Sequence, residues 1–506
     1  MSEPSLFAAL RSRSPRDPGL VGSRLALAHG AMLDDIDALA TDLVRSGVRI
    51  LASALPNGPA WIVVDLAAMR AGVVHVPLPS FFTDVQRDFA LRAAGADSVV
   101  EPLPRGQAAD KTLLVAGTPL ALNRRIAPVP ELPPGTRKIT FTSGTTATPK
   151  GVCLGEAALT VADGLVQALA PLQIRRHLCA LPLPVLLENI AGVYAPLLSG
   201  ATVVVPDPDE AGLRGSSSFQ PAALDAAVRR HRAESVIVLP QMLRAWSAWR
   251  RAVSAAPQPT LKFVAVGGAH VGAEVLARAR LCGLPAYEGY GLSEAGSVQT
   301  LNLPCADRPG SAGRALPHAR LRVDDERQIW VGGSLMLGYL GADRTVSPAW
   351  WPTGDLGRID ADGFLHIDGR RDNVLITSFG RNVSPEWVES ELQGAPAIAQ
   401  AVVYGNGAPQ LTAVLWPARA DAGEAELAQA VESANARLPD YARVAHWIRA
   451  RAPFAADSGL ATANGRPRRH AIEQAHRDAI DAAIRTRSLQ PMDTHDLSRT
   501  AAGIDR

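Results

Sequence analysis

Apolar runs of strand length alternate with helical patterns through the first 300 or so residues. Arg49–Leu55 reads as a strand, Pro56-Asn57-Gly58 as a turn, Ala60–Arg70 as a helix closed by Gly72, and Val73–Leu78 as a returning strand. The unit repeats at Ser235–Leu239 with a helix after Pro240, and at Leu261–Val266 with Gly267-Gly268 and a helix running through Arg280. Continuous apolar strands separated by helices predict buried parallel sheets, whose ligands sit at the carboxyl ends of the strands. Ile190 to Pro206 is uncharged but shorter than the ~20 residues of a membrane span, so a buried helix followed by the strand Ala201–Val205 is expected. After about residue 300 the strands become short: Arg320–Asp324, Gln328–Val331 and Gly363–Asp368. They predict a small β-rich subdomain over about residues 300–369, and Gly369-Arg370-Arg371-Asp372 is a charged break after it. Beyond the break Ser384 is a good N-cap with Pro385 at the first helical position. A compact α+β unit follows from Leu392 to about Arg469, with a polar tail from about Arg487.

Composition narrows the class. At 506 residues the chain is too long for one ordinary core and suggests three or four packed units. Apolar content of 47% with 20% charged residues is that of a soluble globular enzyme. With 51 basic against 49 acidic residues there is no field that argues for nucleic acid. Met1 to Leu20 holds no apolar stretch long enough for a signal peptide, and the expected location is cytoplasmic. Cys153, Cys179, Cys282 and Cys305 lack metal-ligand spacing and are expected as buried free thiols. Lysine is scarce: Lys111, Lys138, Lys150 and Lys262 only, in a chain dominated by arginine and alanine.

One of those lysines ends the most informative stretch, Phe141-Thr142-Ser143-Gly144-Thr145-Thr146-Ala147-Thr148-Pro149-Lys150-Gly151. Hydroxyls and free backbone N–H groups wrap phosphate oxygens, glycines let the backbone come close, and the lysine adds a mobile charge. It is not a Walker A loop, because Pro149 precedes the lysine and Gly151 follows it. Tyr287-Glu-Gly-Tyr290-Gly291-Leu-Ser293-Glu294 then supplies an aromatic face for a base and a carboxylate suited to Mg²⁺. Trp351-Pro-Thr353-Gly354-Asp355 offers a carboxylate on a turn, suited to a ribose diol. Gly369-Arg370 and Thr462-Ala-Asn-Gly465-Arg466-Pro-Arg-Arg469 complete the series.

In that order and spacing, over about residues 25–475, the chain resembles the adenylate-forming superfamily of acyl-CoA synthetases, peptide-synthetase adenylation domains and luciferases. Leu181-Pro-Leu183 with Glu188, and Ile376–Val383, look most like long-chain fatty-acyl-CoA synthetases. The resemblance implies an α/β fold. A large N-terminal domain, residues 1–369, would hold layered, mostly parallel sheets flanked by helices, plus the β-rich subdomain. A small mobile α+β domain would span 370–475, with a terminal helix and polar tail over 476–506. It implies that Thr142, Ser143, Gly144, Thr145, Thr146 and Lys150 hold the β- and γ-phosphates of ATP. Tyr290 stacks on adenine beside Gly291, Ser293 approaches the α-phosphate, and Glu294 binds Mg²⁺. Asp355 and Arg370 hold the ribose, Gly267 and Gly268 line the nucleotide side, and Asp372 is the hinge. Lys150, Glu294 and Arg466 are the expected catalytic residues. The reaction implied is activation of a small-molecule carboxylic acid to acyl-AMP, then transfer to a thiol, normally CoA, by positioning and charge neutralisation.

The departures carry weight. Ala147 stands where the family usually has glycine, and Pro184-Val185 replaces the commoner histidine or aromatic. Arg466 stands at the family's C-terminal catalytic lysine, and a planar fork does not replace a compact ammonium conservatively. Either the compositional bias against lysine explains it, or the first half-reaction is altered; on the second reading Arg466→Lys would match or exceed the natural chain. Two alternatives therefore stand beside a fatty-acid–CoA ligase. One is a ligase loading a separate acyl carrier protein; the other is a protein that binds acyl-AMP or nucleotide with little turnover. Val236–Met242 offers no aspartate for an amino-acid ammonium, which favours medium- or long-chain fatty acids. A serine hydrolase fits poorly, because Ala295 breaks the last position of its elbow, and zinc chemistry fits less well still, since His470 and His476 are six apart with no cysteine near.

Overall fold

The helix Pro59–Ala71 shows how pattern becomes structure in this chain. Pro59 opens it where a missing N–H costs nothing, and Gly72 closes it in the left-handed region at φ 70°. Every residue from Ala60 to Ala68 is buried, the charged Asp65 among them, as in a core helix. The strands on either side of it, Ile50–Ser53 and Val74–Pro77, pair in parallel. In this computed structural model the described residues are 5–104, 109–128, 130–142, 149–214, 218–341, 349–378, 381–462 and 465–485.

Two large sheets organise the bigger part of the chain. Among the described residues the first has eight strands and the second nine. In the first, Ser98–Pro102, Ile50–Ser53, Val74–Pro77 and Lys138–Thr142 run parallel, while Lys150–Leu154 and Gly338–Tyr339 add an antiparallel edge. In the second, Thr202–Val204, Arg176–Leu178, Ser235–Val238, Phe263–Val266 and the start of Ala286–Leu292 run parallel. Ala286–Leu292 then continues past that ladder and folds back antiparallel to Ser297–Leu301. Each sheet is thus mixed, parallel in its centre and antiparallel at its edges. The expected β-rich part is a four-stranded antiparallel sheet containing Arg320–Val323, Gln328–Gly332, Trp351–Ile359 and Leu365–Arg370. The uncharged stretch near residue 190 is a π-helix, Glu188–Tyr194, running into a short α-helix, Ala195–Ser199.

The chain divides into two compact units, Met1–Asp372 with Ala455–Arg468, and Asn373–Phe454 with the chain from Arg469 on. Arg466 lies in the segment Ala455–Arg468 that packs with the first of these units. The smaller unit holds Ile398–Tyr404 antiparallel to Leu411–Pro417, which runs parallel to Val444–Arg449. Ser384 caps the helix Pro385–Gln393 by accepting from Trp387 N. The last helix is Arg469–Arg485, so it starts before residue 476. Cys153 and Cys179 are buried free thiols, but Cys282 is half-buried and Cys305 exposed, against the expectation for all four. No helix among the described residues is long and apolar enough to cross a membrane.

Candidate active site

Lys138–Thr142 and Lys150–Leu154 pair so that Thr142 stands opposite Lys150, and the two strands flank the phosphate-loop candidate. Ser143, Gly144, Thr145 and Thr146, with Ala147 and Thr148, lie outside the described residues. Lys150 Nζ sits 5.6 Å from the centre of the Tyr339 ring, on the edge strand paired with its own. The Tyr339 hydroxyl donates to Glu294 Oε1 at 2.8 Å. Burial and that carboxylate both push the Tyr339 phenol up, so it remains a donor. Glu294 lies in the 3₁₀ turn Ser293–Ala295, fixed by Met336 N donating to its carbonyl at 2.7 Å. Lys150 and Glu294 thus bracket one tyrosine. Sequence reasoning missed Tyr339, because a lone Gly-Tyr pair carries no signal of its own.

Tyr290, Asp355 and Arg370 form the second group. The Tyr290 hydroxyl donates to Asp355 Oδ2 at 2.6 Å, and Arg370 Nε lies 2.8 Å from Asp355 Oδ1. Burial and the neighbouring carboxylate hold the Tyr290 phenol well above its usual value. Burial pulls Arg370 down, but the Asp355 charge more than offsets this and its guanidinium stays charged. Asp355 was expected on a turn; it stands inside the strand Trp351–Ile359, paired with Arg370 across the ladder. Its backbone is held by Thr353, whose hydroxyl accepts from Asp355 N at 3.0 Å. Tyr290 and Gly291 likewise lie within a strand, beyond its parallel half, not past its end. Gly291 is required there: a Cβ would meet Ser297 O at 2.1 Å.

Gly267 and Gly268 follow the strand Phe263–Val266, with Gly268 at φ 87°. Arg466 Nε and Nη2 donate to the Gly268 carbonyl at 3.1 and 2.7 Å. The residue keeps an exposed face, yet the protein crowding its guanidinium and the charge of Arg370 lower its pKa, while Asp355 and Glu294 act the other way. Those influences place Arg466 within electrostatic reach of both groups. Asp372 is exposed and is the last residue of the larger unit's first segment. A wall of different character lies nearby. Leu187, Ala191 and Ala265 each pack against both of the larger apolar clusters yet keep accessible surface, although Ala265 sits in a central strand. A Cβ on Gly267 would sit 3.5 Å from Leu187 Cδ2.

The pattern of the AMP-binding enzyme family matches residues 8–340, and that of the AMP-binding enzyme C-terminal domain matches 372–488. The chain belongs to the AMP-binding enzyme family. It is 29% identical to a long-chain-fatty-acid–CoA ligase of Mycobacterium bovis, over 70% of this chain and 70% of that protein. It is 28% identical to a feruloyl-CoA synthase of an Amycolatopsis species, over 87% of this chain and 90% of that protein. Among solved structures, an anthranilate CoA ligase in complex with anthranoyl-AMP superposes with a TM-score of 0.77 at 18% identity, covering 95% of this chain and 98% of that one. This AMP-binding enzyme therefore shares its fold with acid–CoA ligases.

Proposed function

We propose that the protein uses ATP to activate an apolar carboxylic acid to acyl-AMP and then passes the acyl group to the thiol of CoA, with a medium- or long-chain fatty acid as the leading substrate. The observation that carries this reading is the meeting of three groups in the larger unit: Tyr290–Asp355–Arg370, Glu294–Tyr339–Lys150, and Arg466 on the Gly268 carbonyl.

In the first step a carboxylate oxygen of the acid bonds to the α-phosphorus of ATP. The bond from that phosphorus to the bridging oxygen breaks, and pyrophosphate leaves with the electron pair. In the second, a thiolate sulfur bonds to the acyl carbon and AMP leaves with the electrons of the broken C–O bond. Tyr290 flanks the adenine, while Asp355, fixed by Tyr290 and Arg370, accepts from the ribose hydroxyls. Thr142, the loop of Ser143 to Thr146, and Lys150 take the β- and γ-phosphates; Ser293 faces the α-phosphate, and Gly267 and Gly268 leave the nucleotide side open. Arg466 bridges the Gly268 carbonyl and the reacting anions, and Asp372 is the hinge. Glu294 fits a Mg²⁺ anchor, because one carboxylate oxygen is held by Tyr339 and the other has no hydrogen bond among the described residues. When bound, Mg²⁺ would neutralise phosphate charge.

Support for an apolar acid comes from the half-open wall of Leu187, Ala191 and Ala265. No carboxylate in Val236–Met242 could pair an amino-acid ammonium, and burying one unpaired is costly. Pyrophosphate exchange with a panel of fatty, aromatic and amino acids tests the reading. Fastest exchange with medium- or long-chain fatty acids is expected, and faster exchange with any standard amino acid would overturn the substrate. Arg466 in place of lysine favours one second reading, a binding protein: nucleotide binding without exchange for any acid would establish it.

A further inference from the structure

The larger unit holds a second polar cluster, sealed from solvent. Asp65, His75, Lys138, Asn189 and Tyr194 are each no more than 5% exposed. Asp65 comes from the helix Pro59–Ala71, His75 from the strand Val74–Pro77, and Lys138 is the first residue of the strand leading to the phosphate loop. Asn189 and Tyr194 come from the π-helix Glu188–Tyr194.

Lys138 Nζ lies 2.8 Å from Asp65 Oδ1 and donates to Tyr194 Oη at 2.8 Å and to Asn189 Oδ1. Tyr194 Oη and Asn189 Nδ2 both donate to Asp65 Oδ2, at 2.7 and 2.9 Å. His75 Nδ1 meets Asp65 Oδ1 at 2.5 Å, and its Nε2 meets the Ser53 hydroxyl at 2.8 Å. Burial lowers the His75 pKa, so the ring is neutral, and one ammonium balances one carboxylate. The other side of the same π-helix is held as well. Glu188 accepts from Leu181 N at 3.0 Å and lies 3.2 Å from His177 Nε2, whose Nδ1 meets Ser235 Oγ at 2.8 Å.

A π-helix is rare and of poorer intrinsic geometry than an α-helix, and such turns recur at functional sites. Here it carries Ala191 and follows directly on Leu187, two residues of the half-open wall. Polar contacts on both sides therefore hold one short, unusual element next to these two partly exposed apolar side chains.

We propose that Lys138, Asp65, Asn189 and Tyr194 are positioning residues for the acid, fixing the π-helix Glu188–Tyr194 so that Leu187 and Ala191 form a rigid wall of the acyl channel, joined through Lys138 to the strand that carries the phosphate loop. The assignment rests on the acid-activating reading above. Its consequence is selective: loosening the clamp disturbs the acid before it disturbs ATP, because none of these side chains belongs to the nucleotide groups.

Tyr194→Phe and Asn189→Ser remove clamp hydrogen bonds without removing a charge. Pyrophosphate exchange is measured with each variant at varied acid and at varied ATP, with straight-chain acids from hexanoate to palmitate. KM for the acid should rise about tenfold, with KM for ATP held within about twofold and a broader chain-length profile. Ala191→Leu, which thickens the wall without touching the clamp, should shift the preference to shorter acids. An unmoved acid KM and profile in folded Tyr194→Phe and Asn189→Ser, or equal loss for acid and ATP, overturns the clamp. If those two fail to fold, an unchanged profile in Ala191→Leu overturns the wall. A native enzyme that exchanges no acid sinks the acid-activating reading and this assignment with it; native exchange with unmoved variants sinks this assignment alone.

Discussion

Asp65 and Asp355 are built from the same parts and sit in different surroundings. Each carboxylate accepts a tyrosine hydroxyl and faces a cation: Tyr194 and Lys138 for Asp65, Tyr290 and Arg370 for Asp355. Around Asp65 the cation is sealed, with 6% of its side chain exposed, and two further donors complete the set. Around Asp355 the arginine side chain is 42% exposed, and glycines 289 and 291 flank the tyrosine. The lesson is physical. Saturating a buried carboxylate fixes structure, whereas leaving its cation open and its neighbours small leaves room for a ligand. Glu389 of the smaller unit is a third case: it is buried with, among the described residues, Arg469 Nη2 at 2.6 Å and Val403 N at 2.7 Å as its donors, and Glu386 shares that arginine.

The largest expected effect is at the sealed carboxylate. Lys138→Met leaves Asp65 buried with its charge unbalanced and should cost about 3–5 kcal/mol of stability. Adding Asp65→Leu should recover much of that loss, since replacing both partners by apolar groups is far less costly. Urea unfolding of the single and double variants measures both. A loss below about 1 kcal/mol for Lys138→Met would erase the contrast between sealed and open sites.

At the open site the effect should fall on rate, not stability. Glu294→Ala should fold normally and lose at least about a hundredfold in Mg²⁺-dependent adenylation, roughly 3 kcal/mol in the transition state. Thermal unfolding and pyrophosphate exchange on one preparation separate the two quantities. Full turnover in the folded variant would remove Glu294 from the site.

The contrast also explains what could be read in the chain. Asp355, Tyr290 and Arg370 were legible because each sits in a short glycine-containing motif, and order along the chain reinforced them. Their strand setting was not legible, since Thr353-Gly354-Asp355 has the composition of a turn and only pairing with Arg370 makes it a ladder. Asp65, Lys138 and His75 were invisible as a group because they are separated by up to 73 residues and converge only through sheet packing. The π-helix hid for a similar reason: Ile190–Ser199 has the apolar content of any buried helix, and the partners of Asn189 and Tyr194 lie far away in sequence. Arg466 was legible as a residue, but not as a partner of Gly268, because that bond spans 198 positions.

Glu389 tests the donor count directly. Burial pushes its carboxyl up to about 7, against the pull of Arg469. A raised acid is protonated in the folded state at pH values where the unfolded chain has already released its proton. Stability therefore falls as pH rises from about 4.5 to about 7, by at most ~3 kcal/mol, and is flat from this group above that. Asp65 has the opposite sign, since Lys138 and His75 hold its carboxyl well below the usual range in spite of burial. A carbon-13 titration of the Glu389 carboxyl should show a midpoint near 7. A midpoint at or below its ordinary 4.5 would mean that two donors suffice where Asp65 has four.

The smallest effect is expected at Arg466, because the fork there is divided between two tasks. Nε and Nη2 are committed to the Gly268 carbonyl, which leaves the N–H groups on the far side of the guanidinium for an anion. Arg466→Ala should lose both and slow acyl-AMP formation by about tenfold or somewhat more, while conversion of supplied acyl-AMP to thioester is spared. Arg466→Lys keeps the charge, but its compact ammonium cannot hold the carbonyl through two N–H groups while facing the anion with others in a fixed plane. It should therefore fall between alanine and the natural chain, which reverses the expectation from sequence that lysine would match or exceed it. Rapid quench times the two half-reactions separately. If Arg466→Lys adenylates faster than the natural chain, the bond to Gly268 is incidental and the site is shaped for an ammonium after all.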